Sequence, residues 1–464
     1  MGLFGFLWRL LGGSPRISPA LESARVSSDP QTFPEVVAGS TIESGAQTAE
    51  MGVEEPGTSS VSNVTPRKIR PKGERRKRIH IDPLEYQPNL IPTRTEQEIV
   101  RSRPYRFASI GPHSGEYLDL SQDSDPRWLE YYNLPLLKTP DDLADWLGIS
   151  IGKLAWLTHR TTQNQRPETE HKAHYAYRWI PKRNGGWRLI EAPKLELKQV
   201  QRQILRDLLN HVPTHEAAHG FVLDRSIITN ATPHVGQRFV LKFDLKDFYT
   251  NVRYSRVVSI FRSLGYSREV AIWLARLTTS SIPWNLKAPV NAVELAQFSA
   301  RHLPQGGVTS PSLANLSAFS LDVRLSGLAS AYRMKYTRYA DDLTFSGPGK
   351  AIPALHEIVP LIRKIIRSER FYVNPKKQRI LRNGQRQSVT GVIVNERVNI
   401  SRVEFDRLKA ILTNCMRNGP SLQNRDQHPH FQDHLRGRIA HVCQLNQNRG
   451  EKLLSLYHQI DWSR

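Results

Sequence analysis

Apolar residues recur along the chain with two different spacings, and these spacings predict alternating strands and helices. Residues 175–181 and 187–191 are β-like and are joined by Asn184-Gly185-Gly186, a turn sequence typical of β-hairpins. Apolar residues then recur at helical spacing from Leu195 to Leu209. Further β-like segments lie at 239–245, 335–345 and 388–395, and further helical segments at 257–276, 354–370 and 403–464. This mixture, without a strict βαβ repeat, predicts an α+β fold.

A helix start is predicted near the beginning of this globular pattern. Thr139 suits the N-cap, Pro140 suits the first helical position, and Asp141 and Asp142 suit the first turn, where acidic side chains interact favourably with the helix dipole. The globular pattern itself begins at about Asp125. We therefore expect a packed domain at 126–400, followed by a helical one at 401–464.

The residues before 126 are predicted to form a disordered extension. From Gly12 to Pro66 about half of the residues are Ser, Thr, Pro or Gly, which leaves too little apolar surface to offset the entropy of folding. Met1–Leu11 is apolar and fits either a docking helix, a membrane-surface contact or a frayed start. Arg67–Arg78 contains eight basic residues and fits a solvated linker and nonspecific phosphate attraction equally well. The expected units are an apolar segment at 1–11 and a partly basic extension at 12–125.

The charge balance indicates a polyanionic partner. The 464 residues include 65 Lys and Arg against 43 Asp and Glu, which gives a net charge of +22 and a pI of about 10.1. A chain this basic usually binds nucleic acid. Its two cysteines, Cys415 and Cys443, exclude a disulfide framework and a cysteine-rich zinc module and favour the reduced cytoplasm. No apolar run approaches the roughly 20 residues of a membrane span, so we expect no stable membrane insertion.

Three acidic residues are the strongest candidates for a reactive site. Asp341 and Asp342 lie between two β-prone segments, which places adjacent carboxylates near a hairpin tip. Adjacent acids repel each other unless a cation neutralises them. Asp244 follows an apolar strand pattern and, beside the hairpin tip, completes a set of three carboxylates. Such a set can hold two Mg²⁺ ions, with Mn²⁺ as an alternative, that activate an attacking hydroxyl and stabilise a leaving pyrophosphate.

The residues that follow Asp244 suit a nucleotide substrate. Backbone N–H groups in this stretch can hold a triphosphate, and Phe248 and Tyr249 supply an aromatic wall that can exclude a ribose 2′-hydroxyl. The other adjacent acidic pair, Asp141 and Asp142, is explained by the helix start and lacks this context. Context therefore separates the two pairs.

One motif indicates a different enzyme class. His215-Glu216-Ala217-Ala218-His219 matches HExxH, which binds zinc in metallopeptidases when the two His lie one helical turn apart. Pro213 and Gly220 bracket the motif and leave little room for an uninterrupted helix. Val222 stands where the extended motif requires Gly. We interpret the segment as a packed loop rather than a peptidase site.

Six short blocks resemble, in their order along the chain, the motifs of reverse transcriptases. They are Asn230–His234 (NATPH), Phe243–Tyr249 (FDLKDFY), Leu303–Pro311 (LPQGGVTSP), Tyr339–Asp342 (YADD), Val373–Lys377 (VNPKK) and Val389–Gly391 (VTG). The resemblance extends from about Leu134 to Trp462. The first and last blocks look like the NAxxH and VTG elements of bacterial retron reverse transcriptases. The resemblance implies a right-hand polymerase fold with fingers and palm at 126–400 and a helical thumb at 401–464.

The resemblance also implies roles for individual residues. Asp244, Asp341 and Asp342 are the expected catalytic residues and metal ligands. The expected nucleotide-binding set is Lys182, Arg188, Leu245, Phe248, Tyr249, Gln305 and Lys377, the expected template–primer set is Gln305, Gly306, Tyr339 and Ala340, and the clade motifs contain Asn230, Ala231, His234, Val389, Thr390 and Gly391. A solvated surface position is the alternative for Lys182 and Lys377. We interpret Asn230 and His234 as turn-bridging residues rather than RNA contacts.

The function implied by the resemblance is RNA-directed DNA synthesis of the retron type. The expected partners are a structured noncoding RNA that serves as template and primer, dNTPs, the RNA–DNA duplex and a separate effector protein in antiphage defence. Priming from a guanosine 2′-hydroxyl would leave a branched, msDNA-like product. Two alternatives stay open: a defence reverse transcriptase without a dedicated RNA, and an RNA-binding scaffold that gates an effector. The three acids argue against the scaffold, which would not need them.

Overall fold

A computed structural model describes residues 98–111, 115–159, 166–182 and 185–463. The apolar segment expected at 1–11 and the basic run at 67–78 lie outside these residues.

The fold begins earlier than the sequence pattern predicts. Strands Glu98–Val100 (β1) and Tyr117–Asp119 (β2) pair antiparallel. Tyr105 is buried, and its hydroxyl accepts a hydrogen bond from the Leu120 N–H at 3.0 Å. The Leu120 carbonyl in turn accepts the Glu269 N–H at 3.0 Å. The prediction of disorder up to residue 125 is therefore wrong for the described residues from 98 onward, because these contacts join them to the folded domain.

Short helices follow, and the predicted helix start is confirmed. They are Pro126–Tyr131 (α1), Pro140–Leu147 (α2) and Ile151–Leu157 (α3). Thr139 Oγ1 accepts the Asp142 N–H at 3.2 Å, and the Asp142 carboxylate accepts the Thr139 N–H at 3.0 Å. This reciprocal capping box satisfies donors that a helix start otherwise leaves unpaired.

The predicted β-hairpin is also confirmed. Strands Tyr175–Pro181 (β3) and Trp187–Pro193 (β4) pair antiparallel. Gly185 and Gly186 have φ angles of 83° and 76°, a conformation that glycine adopts without the steric cost of a Cβ. Helix Leu195–Asp207 (α4) follows directly, as its apolar spacing predicts.

A four-stranded antiparallel sheet forms the centre of the fold. Its strands are Phe239–Asp244 (β5), Lys335–Tyr339 (β6), Asp342–Gly347 (β7) and Arg379–Arg382 (β8), in the order β6-β7-β5-β8. The β-like segment expected at 335–345 is therefore a hairpin with its turn at Ala340 and Asp341. Together with the helices, this sheet makes the architecture α+β, as predicted.

Seven further α-helices lie before or between the strands of this sheet along the described chain. They are Ile227–Ala231 (α5), Tyr254–Ser263 (α6), Arg268–Thr278 (α7), Ala292–Ala296 (α8), Ser310–Ser317 (α9), Phe319–Ala331 (α10) and Leu355–Ser368 (α11). The helical segment expected at 257–276 is two helices. Gly265 breaks it with a φ of 104°, and Ser267 caps the second helix by accepting the Val270 N–H.

The C-terminal residues share one hydrophobic core with the sheet. They form the hairpin Ser388–Val389 (β9) and Val392–Ile393 (β10) and the helices Arg402–Asn418 (α12), Phe431–Leu445 (α13) and Gln447–His458 (α14). Val240 of β5 packs in the same cluster as Leu412 and Leu453 of these helices. Among the helices of the described residues, none has the length and apolarity needed to cross a bilayer.

Candidate active site

Three carboxylates meet where β5 ends and the β6–β7 hairpin turns. Asp244, the last residue of β5, lies directly opposite Asp342, the first residue of β7, and Asp341 occupies the turn. The Leu245 N–H donates to the Asp341 carbonyl at 2.9 Å, which ties the turn to the end of β5. The three acids whose grouping the sequence predicts are thus neighbours.

The crowding of these acids changes their protonation. Burial, followed by the negative charges of Asp342 and Asp244, raises the pKa of Asp341 to about 7. Burial also raises the pKa of Asp342, although the positive charges of Lys242 and Lys377 oppose this shift. Negative charge at this site is therefore costly unless a cation compensates for it.

A lysine supplies part of that positive charge. Lys377 Nζ lies 2.6 Å from Asp244 Oδ2, and the Asn374 N–H donates to the Asp244 carbonyl at 2.8 Å. Burial disfavours the charged amine of Lys377, but the hydrogen bond to Asp244 and the negative charges of the three acids together outweigh burial and raise the pKa of Lys377. Lys377 therefore contacts the carboxylate cluster, although its side chain is 51% exposed.

The donor set of the cluster suits a divalent cation. Carboxylate oxygens are the ligands that Mg²⁺ prefers, and burial together with the neighbouring charges of Asp342 and Asp244 raises the pKa of Asp341. Within the part of the chain that the structure describes, no group of three or more His, Cys, Asp or Glu side chains is arranged to hold a metal. At Asp244 the ammonium of Lys377 compensates the charge instead. The acids fit a cation chemically, and in this structure Asp244 Oδ2 accepts a hydrogen bond from Lys377.

A buried arginine holds the hairpin turn from beneath. The guanidinium of Arg338 pairs with Asp322 through Nη2–Oδ2 at 2.6 Å and Nε–Oδ1 at 2.8 Å, and both side chains are fully buried. Its Nη1 also donates to Asn315 Oδ1 at 2.9 Å and to the Ala340 carbonyl at 3.1 Å. Ala340 has a φ of 55°, a left-handed conformation that is uncommon for residues with a Cβ. Arg338 thus stabilises the strained turn that carries Asp341.

The sequence alone does not reveal this support for the turn. The sequence carries one signal for Arg338, a charge immediately before the YADD block in a segment expected to be a strand. Its partners Asp322 and Asn315 lie on α10 and α9, and no local pattern connects them to β6. The network exists only once the helices pack against the sheet.

The HExxH segment is a loop beside β6 rather than a helix. Ala218 forms a parallel bridge with Arg338, and the His219 N–H donates to the Arg338 carbonyl at 2.8 Å. His219 Nδ1 lies 2.9 Å from Thr229 Oγ1. Because residues 215–220 form no helical turn, the two His are not presented as zinc ligands, and the loop interpretation holds.

The residues after Asp244 differ in part from the nucleotide-binding prediction. The side chain of Leu245 is 1% exposed and that of Phe248 is 5% exposed. Phe248 packs against Phe371 with ring centroids 5.6 Å apart. The side chains of Leu245 and Phe248 therefore support the site from the core and are not nucleotide contacts. Tyr249 is half-buried, and burial followed by the charge of Asp341 raises the pKa of its hydroxyl.

The Gln305–Gly306 loop packs against the β3–β4 hairpin. The Glu191 N–H donates to the Gln305 carbonyl at 3.0 Å. Gly306 has a φ of 133°, and a Cβ there would lie 2.9 Å from the Glu191 carbonyl oxygen. Lys182 is exposed at the hairpin end and Arg188 is half-buried on β4. Within the described ranges, no hydrogen bond or ion pair joins Lys182 or Arg188 to the three carboxylates.

His234 of the NAxxH block bridges the two strands of the catalytic hairpin. The side chain is fully buried, with Nδ1 2.6 Å from Ser346 Oγ of β7 and Nε2 2.8 Å from Thr337 Oγ1 of β6. Burial lowers the pKa of His234 to about 3, so the ring is neutral near pH 7. These contacts are internal to the protein.

The NAxxH and VTG blocks also contact each other. Asn230 is fully buried, and its Nδ2 lies 3.4 Å from Thr390 Oγ1. Ala231 and Val389 belong to the hydrophobic cluster shared with the C-terminal helices. Thr390 and Gly391, with φ angles of 47° and 88°, form the turn between β9 and β10. The two blocks therefore meet in the core, although about 160 residues separate Asn230 from Thr390.

Comparison with known proteins decides the family. A family model described as reverse transcriptase (RNA-dependent DNA polymerase) matches residues 180–399, which include the three acids and Lys377. The Retron Mx65 reverse transcriptase of Myxococcus xanthus is 42% identical over 331 residues, which cover 71% of this chain and 73% of that protein. The chain belongs to the retron reverse transcriptases. It is accordingly an RNA-directed DNA polymerase.

Other retron reverse transcriptases are similar over comparable lengths. Retron Mx162 reverse transcriptase of Myxococcus xanthus is 35% identical over 346 residues, covering 70% of this chain and 67% of that protein. Retron Ec86 reverse transcriptase of Escherichia coli is 28% identical over 349 residues, covering 75% of this chain and 95% of that protein.

Proposed function

We propose that this reverse transcriptase copies a structured noncoding RNA into single-stranded DNA and uses the same RNA as template and primer. The assembly of Asp244, Asp341 and Asp342 at one point of the sheet carries the proposal. The net charge of +22 suits a nucleic-acid partner. Extension from a guanosine 2′-hydroxyl would give a branched, msDNA-like product, and the enzyme would act in the cytoplasm alongside a separate effector in antiphage defence.

In this proposal Asp244, Asp341 and Asp342 would hold two Mg²⁺ ions, with Mn²⁺ as a substitute. When bound, such ions favour attack of the primer hydroxyl on the dNTP α-phosphate and stabilise the leaving pyrophosphate. The carboxylates orient the reacting groups because the strand register and the Arg338 contact hold them in place.

The remaining residues would bind the nucleotide and the template. Lys377, Arg188 and Lys182 would contact the triphosphate. Lys377 would first leave Asp244, Arg188 would form bidentate guanidinium hydrogen bonds, and Lys182 would act as an exposed cation. Tyr249 would exclude a ribose 2′-hydroxyl. Gln305 and Gly306 would line the template base, and Tyr339 and Ala340 the primer.

The parts of a right-hand polymerase are assigned on the same basis. The sheet of β5 to β8 would be the palm, and the β3–β4 hairpin would belong to the fingers. Helices α12 to α14, within residues 401–464, would form the thumb that contacts the duplex through its A-form shape and phosphates.

Comparison of two double variants tests the function. Asp341→Ala with Asp342→Ala removes two of the three acids, whereas Asp141→Ala with Asp142→Ala removes an acidic pair at a helix start and serves as the matched control. Nucleic acid purified from expressing cells would be treated with RNase and debranched, then run on a denaturing gel and sequenced. We expect discrete single-stranded DNA with the intact chain and the control, and none with the site variant.

The alternatives predict different products. The same RNA recovered with every variant, and DNA with none, would support an RNA-binding scaffold and contradict the polymerase proposal. DNA without a defined RNA branch would support a reverse transcriptase that has no dedicated RNA.

A further inference from the structure

The loop that follows the HExxH segment is strained where it passes the catalytic hairpin. We call residues 220–225 the Phe221 loop. Phe221 has a φ of 62° and Asp224 a φ of 58°, and a left-handed backbone is a genuine outlier for a bulky side chain such as that of Phe. Strained residues of this kind persist only where the surrounding structure holds them, and they concentrate at functional sites.

The Phe221 loop is held by contacts on both sides. Arg225 Nη1 donates to the carbonyls of His215, Glu216 and Ala218 at 3.0, 2.8 and 2.6 Å. Asn315, which also contacts Arg338, donates from Nδ2 to the Gly220 carbonyl at 2.8 Å. The loop and the catalytic turn therefore share a supporting residue.

The loop passes against the turn itself. A Cβ at Gly220 would lie 2.7 Å from the Ala340 nitrogen, so the two backbones approach as closely as a glycine allows. The ring of Phe221 lies 6.4 Å from that of Tyr339, centroid to centroid, and 45% of the residue is exposed. Leu223 is 85% exposed. The loop thus presents an aromatic surface beside the residue that precedes the catalytic turn.

We propose that Phe221 contacts the terminal base pair of the template–primer duplex and sets its position relative to Asp341 and Asp342. The inference rests on the proposed function, because it assigns a further part of the same site. A polymerase must seat the primer end beside its carboxylates, and the exposed ring is continuous with Tyr339 at that place. Aromatic side chains bind bases of any sequence by stacking, as a template-copying enzyme requires.

The strained backbone of Phe221 allows a sharp test. Phe221→Gly removes the ring and relieves the positive φ, so the loop should keep its path. Phe221→Ala removes the ring alone, and Phe221→Tyr keeps it. Tyr131→Ala is the matched control, since it removes a 73% exposed aromatic ring from α1, outside the matched reverse transcriptase region.

Binding is measured without chemistry. The ligand is an RNA–DNA duplex whose dideoxy-terminated primer cannot be extended. One version of the duplex carries 2-aminopurine at the primer terminus, and a second version carries it in the template, opposite that terminus. We expect Phe221→Gly and Phe221→Ala to bind roughly 10-fold more weakly and to lose the fluorescence change at the terminus. Phe221→Tyr and Tyr131→Ala should behave as the unmodified chain, and thermal unfolding confirms that each variant is folded.

Two outcomes would overturn the inference. Unchanged affinity and fluorescence in a folded Phe221→Gly protein would show that the ring serves another purpose, such as a protein partner. A uniform loss of affinity with an unchanged terminal signal would show that the contact lies away from the duplex end. Failure of the proposed function is distinguishable, because the unmodified chain would then bind the duplex but make no DNA from a free primer end.

Discussion

Replacement of the buried Asp322 tests whether Arg338 shapes the catalytic turn. Asp322→Ala leaves the fully buried guanidinium without its bidentate partner, and breaking such a pair costs about 3–5 kcal/mol. The Tyr336 hydroxyl, which donates to Asp322 Oδ1 at 2.8 Å, also loses its acceptor, at a cost of about 1 kcal/mol. We therefore expect a large drop in the free energy of unfolding.

The double variant Arg338→Met with Asp322→Leu separates stability from catalysis. Replacing a buried ion pair by apolar residues of similar volume is often neutral, so we expect about 2–3 kcal/mol of the lost stability to return. DNA synthesis should not return with it, because the Ala340 carbonyl still lacks the Arg338 donor and the turn carrying Asp341 loses its position. Misplacement of reacting groups by about 1 Å can lower the rate roughly 100-fold.

Two assays on the same preparations give the answer. Urea unfolding followed by circular dichroism reports stability, and single-turnover dNTP incorporation at saturating duplex reports the chemical step. Recovery of both stability and rate in the double variant would refute the positioning role and leave Arg338 as a packing residue. A cost below about 1 kcal/mol for Asp322→Ala would contradict the energetic argument itself.

Three further predictions concern the same region. Asp341→Asn should abolish synthesis but raise the free energy of unfolding by up to about 4 kcal/mol, because the pKa of Asp341, raised to about 7, shows that its negative charge is unfavourable in the folded protein. An unchanged or lower urea midpoint would contradict this prediction. The pKa of His234 is lowered to about 3 in the folded protein, whereas an ordinary His has a pKa near 6.5. Between these two pH values the unfolded chain binds a proton that the folded protein does not. The free energy of unfolding should therefore fall by up to about 1.4 kcal/mol per pH unit as the pH drops from 6.5 towards 3. His234→Asn should show a shallower loss between pH 7 and pH 5 in the same unfolding assay. Gly220→Ala should reduce activity in a folded protein because its Cβ meets the Ala340 backbone, whereas Gly327→Ala, in open space on α10, should be stabilising by about 1 kcal/mol and keep activity.

Predictions from sequence succeeded where the signal lay within a few residues. The Thr139 capping box and the glycines at 185 and 186 are local features, so the chain pattern located α2 and the β3–β4 hairpin. The three acids were grouped through the resemblance of whole motif blocks and the hairpin pattern. The sequence carries no such local signal for Phe221. Its position beside Tyr339 depends on the path of the loop that follows the HExxH segment, and that path is set by packing.

Predictions failed where packing decides. Leu245 and Phe248 lie in a block that suits a nucleotide, yet their side chains fill the core beneath it. Among the described residues between 98 and 125, Tyr105 and Leu120 become part of the fold through contacts that join them to distant residues such as Glu269. Burial of this kind is a property of the assembled chain and has no period to detect.

The hydrophobic cluster shared by the sheet and the C-terminal helices has a consequence for how the enzyme can be divided. The region matched by the reverse transcriptase family model ends at residue 399, before Leu412, Leu435 and Leu453. A fragment cut at that boundary would leave the inner side of Val240 and the β9–β10 hairpin facing water. The catalytic sheet and the helices after it should therefore melt in a single cooperative transition, and the end of the family model at residue 399 is not the end of a unit that folds alone.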